Sequence, residues 1–120
     1  AESGHEEMAP FVQPLAKLAQ QMTGFTGEIG MKAMANADEV GAAAVDYLRV
    51  AGHLVFGYFW ARMAQVALQK MAQGSSDPFY KAKLQTARFY FQRLFPETAS
   101  LMITARSGSE VLMETDAVFA

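Results

Sequence analysis

Residues 36–73 read NADEVGAAAVDYLRVAGHLVFGYFWARMAQVALQKMAQ, and their pattern decides the fold. Asn36 followed three residues later by Glu39 is an N-cap with its reciprocal partner, and Asp38 adds negative charge at the positive end of a helix. Val45, Leu48, Gly52, Val55, Phe59, Met63, Val66 and Lys70 then trace one stripe at helical spacing, with Tyr47, Leu54, Tyr58, Ala61 and Leu68 as a second apolar track beside it. The spacing predicts one helix about 55 Å long, turning both tracks inward. An apolar arc that wide needs neighbours on more than one side.

Those neighbours lie on either side in the sequence. Upstream, Met8, Val12, Leu15, Ala19, Met22, Phe25, Ile29 and Ala33 recur at three- and four-residue steps and form the core stripe of a first helix. Pro10 and Pro14 fit a first turn, so its start is expected between residues 9 and 14, and residues 1–8 are read as a segment outside the fold. Downstream, Gly74 suits a left-handed position past a helix end, Asp77 an N-cap and Pro78 a first helical residue. A third helix with Phe79, Tyr80, Leu84, Ala87, Phe89, Tyr90, Phe91, Leu94 and Phe95 follows, stopped or kinked at Pro96. A fourth segment carries Ala99, Met102, Ile103 and Ala105 inward and ends or bends at Gly108. The expectation is an all-α, antiparallel bundle of four helices over residues 10–35, 37–73, 78–95 and 96–117, one helical domain spanning 9–120.

Composition agrees. Twenty-one alanines, nine leucines and eight methionines against two isoleucines and eight valines favour helix over sheet. With 52% hydrophobic and 18% charged residues the 120-residue chain is no disordered tail. A compact chain of 13.1 kDa exposes about 6,400 Å². The absence of cysteine excludes disulfides, thiolate metal sites and a thiol nucleophile, and agrees with a cytoplasmic location. A net charge of −2 argues against a nucleic-acid partner. The uncharged run Val50 to Ala61 is too short to span a bilayer, and three glutamates without a basic residue in the first ten are unlike a signal peptide. The chain begins at Ala1, which is expected of a piece of a longer protein.

Candidate chemistry is sparse. Glu2 and His5 have the spacing of a metal-binding helix pair, but the second such motif that a di-metal bundle needs is missing. His53, Arg49 and Asp46 share a helix side and read as a polar seam. Glu97, Glu110, Glu114 and Asp116 read as solvated. Gly24-Phe-Thr-Gly27 matches an RNA-clamping loop only in spacing, without its strands or basic residues. No catalytic, cofactor-binding or metal-binding residue is therefore assigned. Aromatics are the exception. Phe56, Tyr58, Phe59, Trp60, Phe79, Tyr80, Phe89, Tyr90, Phe91 and Phe95 surround more than half of two helices, more than three neighbours in a small bundle are expected to cover, and the competing reading is that all of them fill one ordinary core. All but Phe79 form the candidate interface.

Two runs, Asp46 to Ala64 (DYLRVAGHLVFGYFWARMA) and Phe79 to Thr98 (FYKAKLQTARFYFQRLFPET), carry a family resemblance. They resemble the C-terminal extension of bacterial acyl-CoA dehydrogenases, in the subgroup of the 3-methylmercaptopropionyl-CoA dehydrogenases; the likeness covers about residues 9–119. The resemblance implies a parent flavoenzyme that uses FAD to remove hydrogens from Cα and Cβ of an acyl-CoA. It places the catalytic glutamate and flavin site upstream, so the segment itself is expected to hold no cofactor and to be inactive. Its implied partners are the dehydrogenase core of the same chain and further copies in a homo-oligomer. The competing readings are a free-standing helical dimerisation or adaptor module, and a bundle that holds flavin or acyl-CoA between its second and third helices.

Overall fold

The structure, a computed structural model, describes residues 2–114, with side chains from Glu6 onward. These residues form helices α1 (Glu2–Ala35), α2 (Asp38–Ala72), α3 (Pro78–Phe89), α4 (Glu97–Arg106) and α5 (Glu110–Met113), with a π-helical turn at Tyr90–Leu94 between α3 and α4. No strand occurs among them. The tail of the expected fourth helix, 115–117, lies outside the described residues.

α1 and α2 are each about 50 Å long and pack against one another, and α3, the π turn and α4 pack on α2 beside them. Leu15 meets Gly57, Phe25 stacks on Tyr47, and the Thr26 hydroxyl is 2.7 Å from the Tyr47 hydroxyl. The result is a slab measuring 68 × 27 × 15 Å with a radius of gyration of 19.1 Å, against about 14 Å for a compact chain of this length. Its accessible surface of 8322 Å² exceeds the compact expectation by about 1,900 Å².

Local sequence accounts for most boundaries. Asp77 accepts the Phe79 N–H at 3.0 Å with Pro78 as the first helical residue. Gly74 has φ +96°, and the Ser75 and Gly74 N–H groups reach Lys70 O and Met71 O, closing α2 in a Schellman turn. Gly108, φ +87°, separates α4 from α5. Three expectations are corrected. α1 begins at Glu2 and runs through Pro10 and Pro14; Met8 and fully buried Phe11, which packs on Phe91, hold the turns around the prolines. The inward stripe of α1 is Phe11, Leu18, Met22 and Phe25, while Val12 and Ala19 are exposed. Finally, Glu39 does not close a box with Asn36. Asn36 Oδ1 accepts the Asp38 N–H, and the Glu39 carboxylate instead accepts from Ser109 N and Oγ at 3.3 and 2.8 Å, tying α2 to the start of α5.

Those two hydrogen bonds hold the Glu39 carboxyl below its ordinary range. A depressed carboxyl contributes stability that is present above its unfolded pKa and lost as pH falls through its folded one. Wild type is therefore expected to exceed Glu39→Gln in urea midpoint at pH 7, with the gap closing below the ordinary carboxylate range.

The largest departure is in α2. Its buried residues are Ala43, Val50, Gly57, Ala61, Ala64 and Ala67, which are all small except Val50. The stripe expected to face the core points away from it: Leu48 is 71% exposed, Val45 69%, Phe59 56% and Val55 53%. Small side chains let α1 and α3 approach α2 closely; Tyr47, Leu54, Trp60 and Leu68 pack partly buried beside them, and Val45, Leu48, Val55 and Phe59 are left outside. An alanine buries little area but permits close packing, so the inward face carries little hydrophobic signal.

Candidate interface

The nine aromatic candidates divide into three environments. Tyr90, Phe91 and Phe95 are buried in the protomer core. The π turn makes this possible: Phe95 N donates to Tyr90 O at 2.8 Å, and the wider turn sets residues 90, 91 and 95 on one side. Phe91 and Phe95 ring centres are 5.2 Å apart, and Phe91 meets Phe11 at 5.6 Å. These three are not available at the surface. Trp60, partly buried, stacks over Tyr90 with centroids 6.5 Å apart, and Tyr80 is also partly buried. Phe56, Tyr58, Phe59 and Phe89 are exposed, as is Phe79.

Phe59 sits on the ridge between two apolar grooves. On the α1 side Leu15, Ala16, Ala19, Leu54, Val55 and Tyr58 line a groove of about 610 Å³. On the α3 side the walls include Met63, Val66, Phe79 and Tyr80, with Arg62 and Lys83 at the rim; this groove is about 330 Å³. A flavin needs donors and acceptors converging on its ring edge and pyrophosphate. The first groove has no polar side chain apart from the Tyr58 hydroxyl, and no buried side-chain N or O lacks a partner among the described residues. The residues lining this groove do not supply that set for FAD.

Polar groups gather on the opposite side of α2. The Tyr90 hydroxyl donates to His53 O at 3.1 Å and lies 2.9 Å from His53 Nδ1. Arg49 Nη2 donates to Glu97 Oε1 at 3.0 Å, and that oxygen is 3.6 Å from His53 Nε2. Arg49 thus pairs across helices with Glu97, a residue the sequence reading left solvated. Burial, and then the Glu97 charge, push the Tyr90 phenol up to about 12. The network locks α4 to α2 and presents no open nucleophile or paired carboxylates. Tyr90→Phe is expected to lower unfolding free energy by about 1–2 kcal/mol in urea, since it strips a buried hydroxyl from both His53 contacts. In wild type, ionisation of a phenol raised above its unfolded value removes stability between about pH 10 and 12.

Among the described residues no group of three His, Asp or Glu side chains could hold a metal ion. Glu2 and His5 lie in α1, with side chains outside the described set. No helix of the described residues is long and apolar enough to cross a membrane. Sequence reasoning missed Val45, Leu48 and Val55 as surface residues because it placed their stripe in the core. The one warning was that the apolar arc of α2 was too wide for a neighbour on one side alone.

No match to this chain was found among the curated proteins compared with it. At the family level, residues 1–116 match the model described as acetyl-CoA dehydrogenase C-terminal like, and the chain belongs to that family.

Proposed function

We propose that this chain is the non-catalytic C-terminal helical domain of a flavin-dependent acyl-CoA dehydrogenase, joining the enzyme's parts through the outward face of α2. The observation that carries the reading is the inversion of α2: small residues inside, Val45, Leu48, Val55 and Phe59 outside. A monomer gains nothing from a continuous exposed apolar face, whereas a covered one stabilises an assembly. The family match supports the dehydrogenase context, and the runs 46–64 and 79–98 support the 3-methylmercaptopropionyl-CoA dehydrogenase-like subgroup. On this reading the helices form one antiparallel domain, which the pairs Leu15–Gly57 and Phe25–Tyr47 favour because residue numbers fall on α2 as they rise on α1. FAD and the acyl-CoA belong to the parent's core.

Titrating the chain into a family dehydrogenase that lacks its own C-terminal domain tests this. Saturable binding to the dehydrogenase, to a second copy of the chain, or to both, lost in Phe59→Glu, is expected. A monodisperse monomer that never binds the dehydrogenase, or FAD or acyl-CoA binding that shifts Trp60 fluorescence, would overturn it.

A further inference from the structure

The outward residues of α2 are not a random patch. Asp38, Gly41, Val45, Leu48, Gly52, Val55, Phe59, Arg62 and Val66 alternate steps of three and four without a break, a strict heptad seam along the solvent side of one helix. A 3.5-residue period is the signature of a face that packs along another helix, since an isolated straight helix would drift away from it. From Gly41 to Phe59 the seam carries no charge, and an added Cβ at Gly41 or Gly52 would meet nothing within 4 Å. Among the described residues nothing fills those notches.

We infer that this seam pairs with the same seam of a second copy, antiparallel about a two-fold axis beside residue 50. The inference rests on the docking role proposed above and names its occupant. In this register facing residue numbers sum to 100, and each facing pair is complementary. Phe59 lies opposite the partner's Gly41, Leu48 opposite the partner's Gly52, and Val45 opposite the partner's Val55. At each end Asp38 lies opposite the partner's Arg62. Asp38 and Arg62 are exposed and belong to no ion pair among the described residues. Large meets small, negative meets positive, and a two-fold axis repeats each match. Shifting the register by one heptad sets Leu48 against Phe59, Gly52 against Val55 and Arg62 against Val45, losing both complementarities. Arg49, which flanks the seam, is already held by Glu97.

The chain has no cysteine, so two single variants, Val45→Cys and Val55→Cys, give a clean test with a short bismaleimide cross-linker. Both sites are exposed, and neither change disturbs the core. Mixed together, the variants should yield a 45–55 cross-linked dimer. Each alone should cross-link poorly, because like sites in the two copies lie about 15 Å apart along the axis. Sedimentation should show a wild-type dimer and a folded monomer for Phe59→Glu, with dimer affinity lowered at least about 100-fold, as for the loss of a central aromatic anchor. Efficient cross-linking of either variant alone, with no mixed product, would overturn the antiparallel register. A wild-type monomer that still binds the dehydrogenase would overturn the second copy as occupant and leave the docking role standing. A monomer that binds neither would end both.

Discussion

Gly57→Leu is expected to lower the unfolding free energy by about 3 kcal/mol, among the largest effects available to a single substitution in α2. A Cβ added at Gly57 would sit 2.9 Å from Leu15 Cδ1 and 3.1 Å from Phe95 Cε2, and both side chains belong to the packed interior. Three further carbons have no space, so α1 or the Phe95 ring must move, and overpacking of this kind costs about 1–3 kcal/mol and sometimes more. Gly24→Ala and Gly30→Ala supply the contrast. No atom would lie within 4 Å of either new methyl, and relief of glycine's helical cost should raise stability by about 0.5–1 kcal/mol. Urea melts of the three variants separate the two environments. Equal effects at Gly57 and Gly24 would contradict the close packing of α1 on α2.

Phe25→Ala should be as damaging. Phe25 is 0% exposed; its ring stacks on Tyr47 with centroids 5.9 Å apart, and the Arg106 guanidinium lies 5.3 Å from its centre. Removing a buried phenyl costs about 3–5 kcal/mol through lost transfer energy and the cavity left behind. Here it also frees Arg106, which bonds Glu28 at 3.0 Å and stands at the end of α4. A domain this size holds about 5–15 kcal/mol in all, so the variant is expected to be partly unfolded at 37 °C by circular dichroism. The matched change Phe56→Ala, on the exposed face, should stay within about 0.5 kcal/mol of wild type when measured on the monomer.

The contrast between Phe25 and Phe56 also marks where the sequence was readable. Helix type and most boundaries followed from local signals: Asp77-Pro78 starts α3, Gly74 closes α2, and Gly108 ends α4. What failed was direction. Composition and period find an apolar face but not which of two faces is covered, and α2 has both. The second track found the inward side, where Ala61 is buried and Tyr47, Leu54 and Leu68 pack against the core, whereas Val45, Leu48 and Val55 of the first stripe face outward because Ala43, Gly57 and Ala64, nearly silent on any hydrophobic scale, take the inner positions. On α1 the same ambiguity shifted the stripe by one residue, from Phe11 and Leu18 to Val12 and Ala19. The π turn left no trace either, because Phe89, Tyr90 and Phe91 are aromatic in succession and every helical phase through them looks apolar. Glu39 illustrates a third limit: its spacing from Asn36 suits a capping box, yet Ser109, seventy residues away, is its partner.

The candidate site was legible in kind and not in membership. A surplus of aromatic residues over available core pointed to an interface, and Phe56, Tyr58, Phe59 and Phe89 do stand at the surface. Tyr90, Phe91 and Phe95 belong to the interior, and Val45, Leu48 and Val55 take their place on the outward face.

Hydroxyl-radical footprinting of the chain, dilute and then concentrated or mixed with a family dehydrogenase, addresses this inversion of α2 residue by residue. The account predicts fast oxidation of Leu48 and Phe59 in the dilute monomer, protection of both on assembly, and protection of Phe11, Phe25 and Phe91 throughout. Slow oxidation of Leu48 and Phe59 in the dilute monomer, with Phe25 reactive, would contradict it.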